Sequence, residues 1–369
     1  MPRVVGKGVH ILLLATDAHG GFGGIAQYNR DVIEAMSHFP DVREISVMPR
    51  SINSIITELP PRVSYDESCA NGLGAYLAGS ALRAFRGHFD MVYCAHINLM
   101  PVAAVIAHVR RVPLVLAIYG IDAWERPEGR VARWAVTAAD LVLSISQITL
   151  DRFRSWSGVD AGRCAILPNA IHAEDYAMGP KANALARRLG VDARPVILTF
   201  GRMSADERYK GFDEVIEAMP RLVQRIPGIC YVAAGDGSDR KRLEAKVQSL
   251  GVAENVIFTG RIDEAEKADL YRLADAYVMP SSGEGFGFVV LEALACGIPV
   301  VASAIDGTRE AVRDGELGLL VNPRDTGAVE NAIVEAMLRP KGVPPGFDYF
   351  SFRNFRARLE AALRRVVRV

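Results

Sequence analysis

The chain has 369 residues, half of them apolar, and 43 Lys plus Arg balance 43 Asp plus Glu. Such a length exceeds one hydrophobic core and predicts two domains, and the zero formal charge excludes a general nucleic-acid binder, which carries a basic excess. Five scattered cysteines without a C-x-x-C pair exclude a disulfide or zinc framework and read as reduced, buried small hydrophobes.

The opening "MPRVVGKGVHILLLATDAHGG" has only a short apolar run before Asp17, so it reads as a strand rather than a signal peptide. Strands follow at "REISVM", "DMVYCAH", "VPLVLAIY", "DLVLSIS" and "CAILPN", with helical segments such as "IAQYNRDVIEAM" between them. The apolar stretch "LMPVAAVIAHV" is too short to span a membrane. A polar segment, "AIHAEDYAMGPKANALARRLGVDARP", then interrupts the rhythm. A second series comes after it: "PVILTFG", "ICYVAAG", "NVIFTG", "AYVMPS", "IPVVAS" and "LGLLV", alternating with "GFDEVIEAMPRLVQRI", "SDRKRLEAKVQSL" and "FVVLEALAC". Short β-branched runs alternating with amphipathic helices are the pattern of parallel βα units. The predicted fold class is α/β, with two doubly wound, Rossmann-like domains facing a cleft at the carboxyl ends of their strands. The expected boundaries are 1–170 for the first domain, 171–194 for a linker and 195–345 for the second domain. The basic amphipathic tail 346–369 is expected to be a helix packing back across the domains.

Three stretches are suited to anions. In "ATDAHGGFGGIAQYNR" a strand runs into four glycines and then a helix, whose free N–H groups attract negative charge. Gly21, Gly23 and Ala26 also satisfy the dinucleotide pattern G-x-G-x-x-A, although the second strand ends at Arg50 rather than at an acid. A plain tight turn with no ligand is an equally simple reading of the same residues. In "LTFGRMSADERYKGFDE" a strand end is followed by Arg202 and Lys210, a forked clamp and a point charge suited to a diphosphate. In "PSSGEGFGFVVLEALACG" a turn opens a helix, with Glu284 before it and Glu292 within it. Carboxylates repel phosphate but accept hydrogen bonds from hydroxyls, so a diphosphate flanked by two hydroxyl-rich rings, as in a sugar nucleotide, fits the pattern. Eight helical residues span about 12 Å, which disfavours a glycosidase carboxylate pair.

The spacing E-x7-E within "SSGEGFGFVVLEALACGIPVVAS", together with "GRMSADERYKGFDEVIEA", "AAGDGSDR", "FTGRID" and "GGFGGIAQY", resembles the retaining glycosyltransferases of family 4, which have the GT-B fold. The resemblance covers nearly the whole chain. It implies that Arg202 and Lys210 hold the donor diphosphate and that Glu284 binds hydroxyls of the transferred sugar. It places the backbone of Gly285, Phe286 and Gly287 beside sugar and phosphates, Glu292 on the ribose and Arg261 near the base. Gly23 and Gly24 line the cleft from the first domain. The resemblance further implies no metal or other cofactor, a nucleotide-sugar donor with GDP-mannose as the first expectation, and a saccharide or polyprenyl-diphosphate-linked saccharide acceptor.

One position departs from the family pattern. Relatives often read H-G-I-[DE] where this chain has Tyr119, Gly120, Ile121 and Asp122. A phenol titrates near pH ~10 and is a poor base, so Asp122 and His96 become acceptor-side candidates beside Tyr119. Arg83, Arg86, Arg110, Arg111, Arg130, Arg133 and Trp134 form solvated faces or a peripheral contact with an anionic membrane. The expected location is the cytoplasm, extending to the inner face of the cell membrane. The competing readings are an NADP-dependent oxidoreductase and a non-catalytic sugar-nucleotide-binding protein.

Overall fold

The computed structural model describes residues 8–56 and 58–367. The chain divides into two compact units, residues 1–170 with 352–369 and residues 171–351.

The first unit is built on a seven-stranded sheet. Its strands are β1 (Val9–Ala15), β2 (Val42–Pro49), β3 (Val63–Tyr65), β4 (Met91–Cys94), β5 (Leu114–Ile118), β6 (Leu141–Ser144) and β7 (Cys164–Ile166). All pairings are parallel, in the order β3-β2-β1-β4-β5-β6-β7. Growth outward from β1 in both directions puts a strand-order reversal between β1 and β4. In open α/β sheets ligands bind at such a point, outside the strand carboxyl ends. The edge strand β3 is the element that hydrophobic patterning missed, since three residues give no period to read. One core packs Leu12, Val92, Leu116 and Val142 against helix residues such as Met100, Ala104 and Phe153.

The second unit repeats the design with six parallel strands: β8 (Val196–Phe200), β9 (Cys230–Ala234), β10 (Val256–Phe258), β11 (Ala276–Met279), β12 (Val300–Ser303) and β13 (Leu319–Val321). Their order is β10-β9-β8-β11-β12-β13, so the reversal falls between β8 and β11. Its core joins Ile197, Tyr231 and Val278 to Val215, Met219 and Ile333. Each unit is therefore a doubly wound, Rossmann-like sheet, as the alternating pattern predicts.

Two segments lie differently from the domain boundaries drawn on the sequence. Residues 171–194, read as a linker, belong to the second unit and contain the helix Asn183–Leu189, which buries Leu185 and Ala186. Ala, Gly and Pro content masked that helix. The tail helix Phe352–Leu363 belongs to the first unit, where Phe355 meets the Tyr28 ring edge-on at 5.6 Å. Burying Phe355 and Leu359 contributes about 1.5–3 kcal/mol each to that docking.

Candidate functional site

The second unit gathers its candidates on two loops at the carboxyl ends of β8 and β11. After β8 the chain passes Gly201 and Arg202, makes a short 3-10 segment (Ala205–Lys210) and enters helix Phe212–Arg225 through Gly211. Gly211 has φ +88°, and a Cβ there would meet Pro280 at 2.8 Å. The Ser282 N–H donates to the Tyr209 carbonyl at 2.8 Å, so the two loops are sewn together. Across this seam Lys210 Nζ donates to Glu284 Oε2 at 3.1 Å. Burial lowers the Lys210 pKa, but Glu284, Tyr209 and Glu207 outweigh it and the net value is raised, so the ammonium persists at neutral pH. Arg202 extends outward, with its side chain 77% exposed, and pairs with Glu207. Glu207 also approaches Lys210 to 3.9 Å, so one carboxylate tethers both candidate phosphate cations.

The turn that holds Glu284 is built by Asp306, a residue the sequence reading passed over. Asp306 is fully buried and accepts from the Glu284 N–H at 2.9 Å, the Ser281 hydroxyl at 2.6 Å and the Thr308 N–H at 3.0 Å. Burial raises its carboxyl pKa, and the hydrogen bonds oppose that rise. The Gly307 N–H donates to the Glu284 carbonyl, and a Cβ on Gly307 would sit 2.0 Å from the Gly285 oxygen. Gly287, at φ +94°, opens helix Phe288–Ala295 without a side-chain cap; the Val290 N–H donates to the Gly287 carbonyl at 3.1 Å, which leaves the Phe288 and Val289 N–H groups to face an anion. The Phe286 side chain is buried against Phe350, ring centroids 5.7 Å apart, so only its backbone can serve a ligand.

Glu292 is 5% exposed and already occupied on both oxygens. Lys267 Nζ donates to Oε1 at 2.7 Å and the Tyr271 hydroxyl to Oε2 at 2.6 Å. Lys267 in turn lies over the Phe200 ring, 5.2 Å from its centroid. Each glutamate of the E-x7-E pair thus has its own lysine. Neither Lys267 nor Tyr271 was legible beforehand, because both lie on a different helix, Lys267–Leu273. Arg261 is exposed and follows Gly260, whose carbonyl accepts from the Gly235 N–H at 3.1 Å.

The first unit carries the other candidates, also at strand carboxyl ends. Beyond β1 the glycine turn leads to helix Gly24–Ser37, and a Cβ added at Gly23, at φ +89°, would meet nothing within 4 Å. Arg30 braces the turn by donating to the Ala18 and Gly21 carbonyls, both at 3.1 Å. The Tyr119 hydroxyl, at the end of β5, donates to Asn29 Oδ1 at 2.7 Å, and Asn29 Nδ2 donates to the Asp17 carbonyl at 2.8 Å. Burial raises the Tyr119 pKa well above the ordinary phenol value, so this hydroxyl is a buried strut rather than a base. His96 is buried beyond β4 and accepts the Asn98 N–H on Nδ1 at 3.1 Å, which leaves its proton on Nε2. Desolvation lowers its pKa, so it is neutral at pH 7.

Asp122 differs from both. It stands in the short helix Ile121–Trp124 with Oδ2 buried and unpartnered. Desolvation, opposed by nearby backbone N–H groups, pushes its carboxyl up to about 7. It is the candidate in this unit poised to exchange a proton near neutral pH. Among the described residues no three His, Cys, Asp or Glu side chains converge as a metal-binding group.

Residues 23–175 match the family model Glycosyltransferase Family 4, and residues 184–342 match Glycosyl transferases group 1. A D-inositol 3-phosphate glycosyltransferase of Actinosynnema mirum is 30% identical over 92% of this chain and 90% of its own length. The chain belongs to the family 4 glycosyltransferases. This family 4 chain is also 36% identical to a GDP-mannose-dependent alpha-(1-6)-phosphatidylinositol monomannoside mannosyltransferase of Mycolicibacterium smegmatis. That match covers 55% of the chain and about half, 54%, of the relative. Among solved structures, HepE of Anabaena in complex with UDP and glucose superposes with a TM-score of 0.75 at 22% identity, over 96% of this chain and 99% of that one. Sucrose-phosphate synthase of Thermosynechococcus elongatus gives 0.71 at 23% identity, covering 96% and 97% of the two chains. The fold is GT-B, as the resemblance implied. Family membership does not favour the NADP-dependent oxidoreductase reading of the glycine turn.

Proposed function

We propose that the protein is a retaining, metal-independent hexosyltransferase that uses a nucleotide-diphosphate sugar, with GDP-mannose as the first donor to test. The observation that carries this reading is the Lys210–Glu284 ion pair at the mouth of the uncapped helix Phe288–Ala295. An incoming diphosphate takes Lys210, Arg202 and the free N–H groups of that helix. Glu284 is then released from its lysine to accept hydrogen bonds from hydroxyls of the sugar. As the C1–oxygen bond to the diphosphate breaks, the leaving group departs with the electron pair into this positive cradle, which stabilises it without a metal. The acceptor hydroxyl forms the new bond to C1 from the same face and gives its proton to the departing diphosphate oxygen. Glu292, held by Lys267 and Tyr271, retains lone pairs for the ribose hydroxyls. The GDP-mannose dependence of the mycolicibacterial relative supports the choice of donor.

The acceptor is a lipid-linked or other saccharide reached from a membrane surface, on the cytoplasmic side. Helices Leu73–Arg86, Met100–Arg110 and Arg130–Thr137 pack side by side in the first unit. Among the described residues they expose Leu77, Phe85, Val105, Val109, Val131 and Trp134, interleaved with Arg83, Arg86, Arg110, Arg111, Arg130 and Arg133. Apolar side chains among arginines suit an anionic bilayer. None of the described helices is long and apolar enough to cross a membrane.

The test is donor turnover. Purified protein is incubated with GDP-mannose, UDP-glucose and a lipid-linked saccharide mixture, and product and anomeric configuration are read by NMR. Transfer with retention from one donor, unaffected by chelator, supports the proposal. Donor binding without transfer to any acceptor would favour a non-catalytic sugar-nucleotide-binding protein.

A further inference from the structure

The first unit contains a second polar site that the transferase reading leaves unused. A parallel sheet covered by helices on both faces normally carries near-continuous apolar residues. On one face of this sheet the pattern breaks at neighbouring positions on three strands. His10 on β1 pairs in register with Glu44 on β2, Leu12 with Ser46, and Ser46 with Ser64 on β3. These residues floor a groove of about 460 Å³, walled by Arg83, Arg86, His88 and Phe89 at the end of helix Leu73–Arg86, with Arg43 at its rim. His10 and Glu44 lie near the amino ends of their strands, whereas the glycine turn Gly20–Gly24 follows the carboxyl end of β1. The groove shares Arg83 and Arg86 with the proposed membrane face, and no residue with the donor and acceptor candidates.

Its side chains are pre-arranged. His10 Nδ1 donates to the His88 carbonyl at 2.5 Å, so Nε2 faces the Ser46 hydroxyl at 2.9 Å. Ser46 Oγ lies 3.1 Å from Ser64 Oγ and 3.2 Å from Glu44 Oε1. One small cluster therefore offers a carboxylate, two hydroxyls and an imidazole. Three arginines, Arg43, Arg83 and Arg86, also line the groove. Arg83 gives one nitrogen to Asp66 at 3.2 Å, while its buried Nε has no partner. Arg43 and Arg86 form no ion pair among the described residues. Guanidinium forks match phosphoryl oxygens, and a carboxylate beside hydroxyls matches a polyol.

We propose that this groove binds a phosphorylated polyol, with Arg43, Arg83 and Arg86 on the phosphoryl group and Glu44, Ser46 and Ser64 on the hydroxyls. Neither chemistry alone accounts for the lining. A bare anion would be repelled by Glu44, and a neutral polyol would leave the arginines idle. The ligand is either a free polyol phosphate or the same group on a phospholipid head, since the wall helix also exposes Leu82 and Phe85.

The experiment is titration calorimetry of the full chain with glycerol 3-phosphate, glycerol and inorganic phosphate, followed by vesicle flotation. Expected is saturable binding of glycerol 3-phosphate, at least ten-fold tighter than inorganic phosphate, with no detectable binding of glycerol. The double variant Arg43→Ala/Arg86→Ala weakens that binding ten-fold or more, Glu44→Gln weakens it several-fold, and neither changes affinity for GDP. GDP affinity also reports that each variant is folded, and its presence or absence in the parent chain judges the transferase reading separately. Flotation on phosphatidylglycerol vesicles that glycerol 3-phosphate competes away identifies the head group as the source. Binding of the soluble phosphate without such competition identifies the free compound. Absence of saturable glycerol 3-phosphate binding, or binding unchanged in the double variant, overturns the proposal.

Discussion

Lys210 and Glu284 pair directly, Nζ to Oε2 at 3.1 Å, with side chains only 14% and 22% exposed. Under the proposed function Lys210 meets phosphate and Glu284 meets sugar hydroxyls, so donor binding exchanges this ion pair for another. Substituting Lys210→Met removes the cation proposed to meet the leaving diphosphate. The expected loss in kcat is about 100- to 1000-fold, the scale of removing one preorganised group from a developing oxyanion. Glu284→Gln keeps the shape and loses transfer more than GDP affinity. Equal losses of GDP binding and transfer in Glu284→Gln would place that residue on the nucleotide instead.

Glu292 and Lys267 require a paired test, because single substitution confounds ligand binding with stability. Glu292→Ala strands a lysine that is 12% exposed, and breaking a buried pair costs about 3–5 kcal/mol. The double variant Glu292→Gln/Lys267→Met removes both charges and is expected to recover most of that stability in urea unfolding. Nucleotide affinity by calorimetry should remain low in both. Recovery of affinity along with stability would mean that Glu292 serves the fold and not the ribose.

Much of this arrangement could be read from the residues alone, and the unread part has a common cause. The β1 and β8 runs announce themselves through apolar continuity, and Gly211 and Gly287 mark loop ends where φ is positive. The strand-order reversals come from the sheet pairings rather than from the βα alternation, which a closed barrel shares. Asp306, Lys267 and Asn29 were illegible because their partners are remote in sequence. Asp306 reaches Glu284 22 residues away, Lys267 reaches Glu292 over 25, and Asn29 meets Tyr119 over 90. Tyr119 shows the other limit: its departure from the family histidine was visible, but its burial and its strut role were not.

Asp306 offers a prediction that separates architecture from chemistry. Asp306→Ala leaves the Glu284 and Thr308 N–H groups and the Ser281 hydroxyl without their acceptor. Unsatisfied buried donors cost about 1–3 kcal/mol each, so a fall of about 3 kcal/mol or more in urea unfolding is expected. Transfer should drop as well, since the turn carrying Glu284 loosens. Unchanged stability would mean that the Gly307–Glu284 backbone bond alone maintains the turn.

Asp122 makes the pH behaviour testable. Its folded pKa, about 7, lies above the ordinary carboxyl value because burial disfavours the anion. Between those two values the folded chain binds more protons than the unfolded chain, so stability falls as pH rises from about 4 to about 7 and levels off above. Asp122→Asn removes that dependence. The variant should match the parent near pH 4 and be more stable than it at pH 8, by urea unfolding at both values. Its activity profile adds a second readout. If Asp122 exchanges a proton with the acceptor, the limb of log kcat/KM that breaks near pH 7 disappears in the variant along with most of the rate. If the limb persists unchanged, another group carries the proton and Asp122 is confined to the fold.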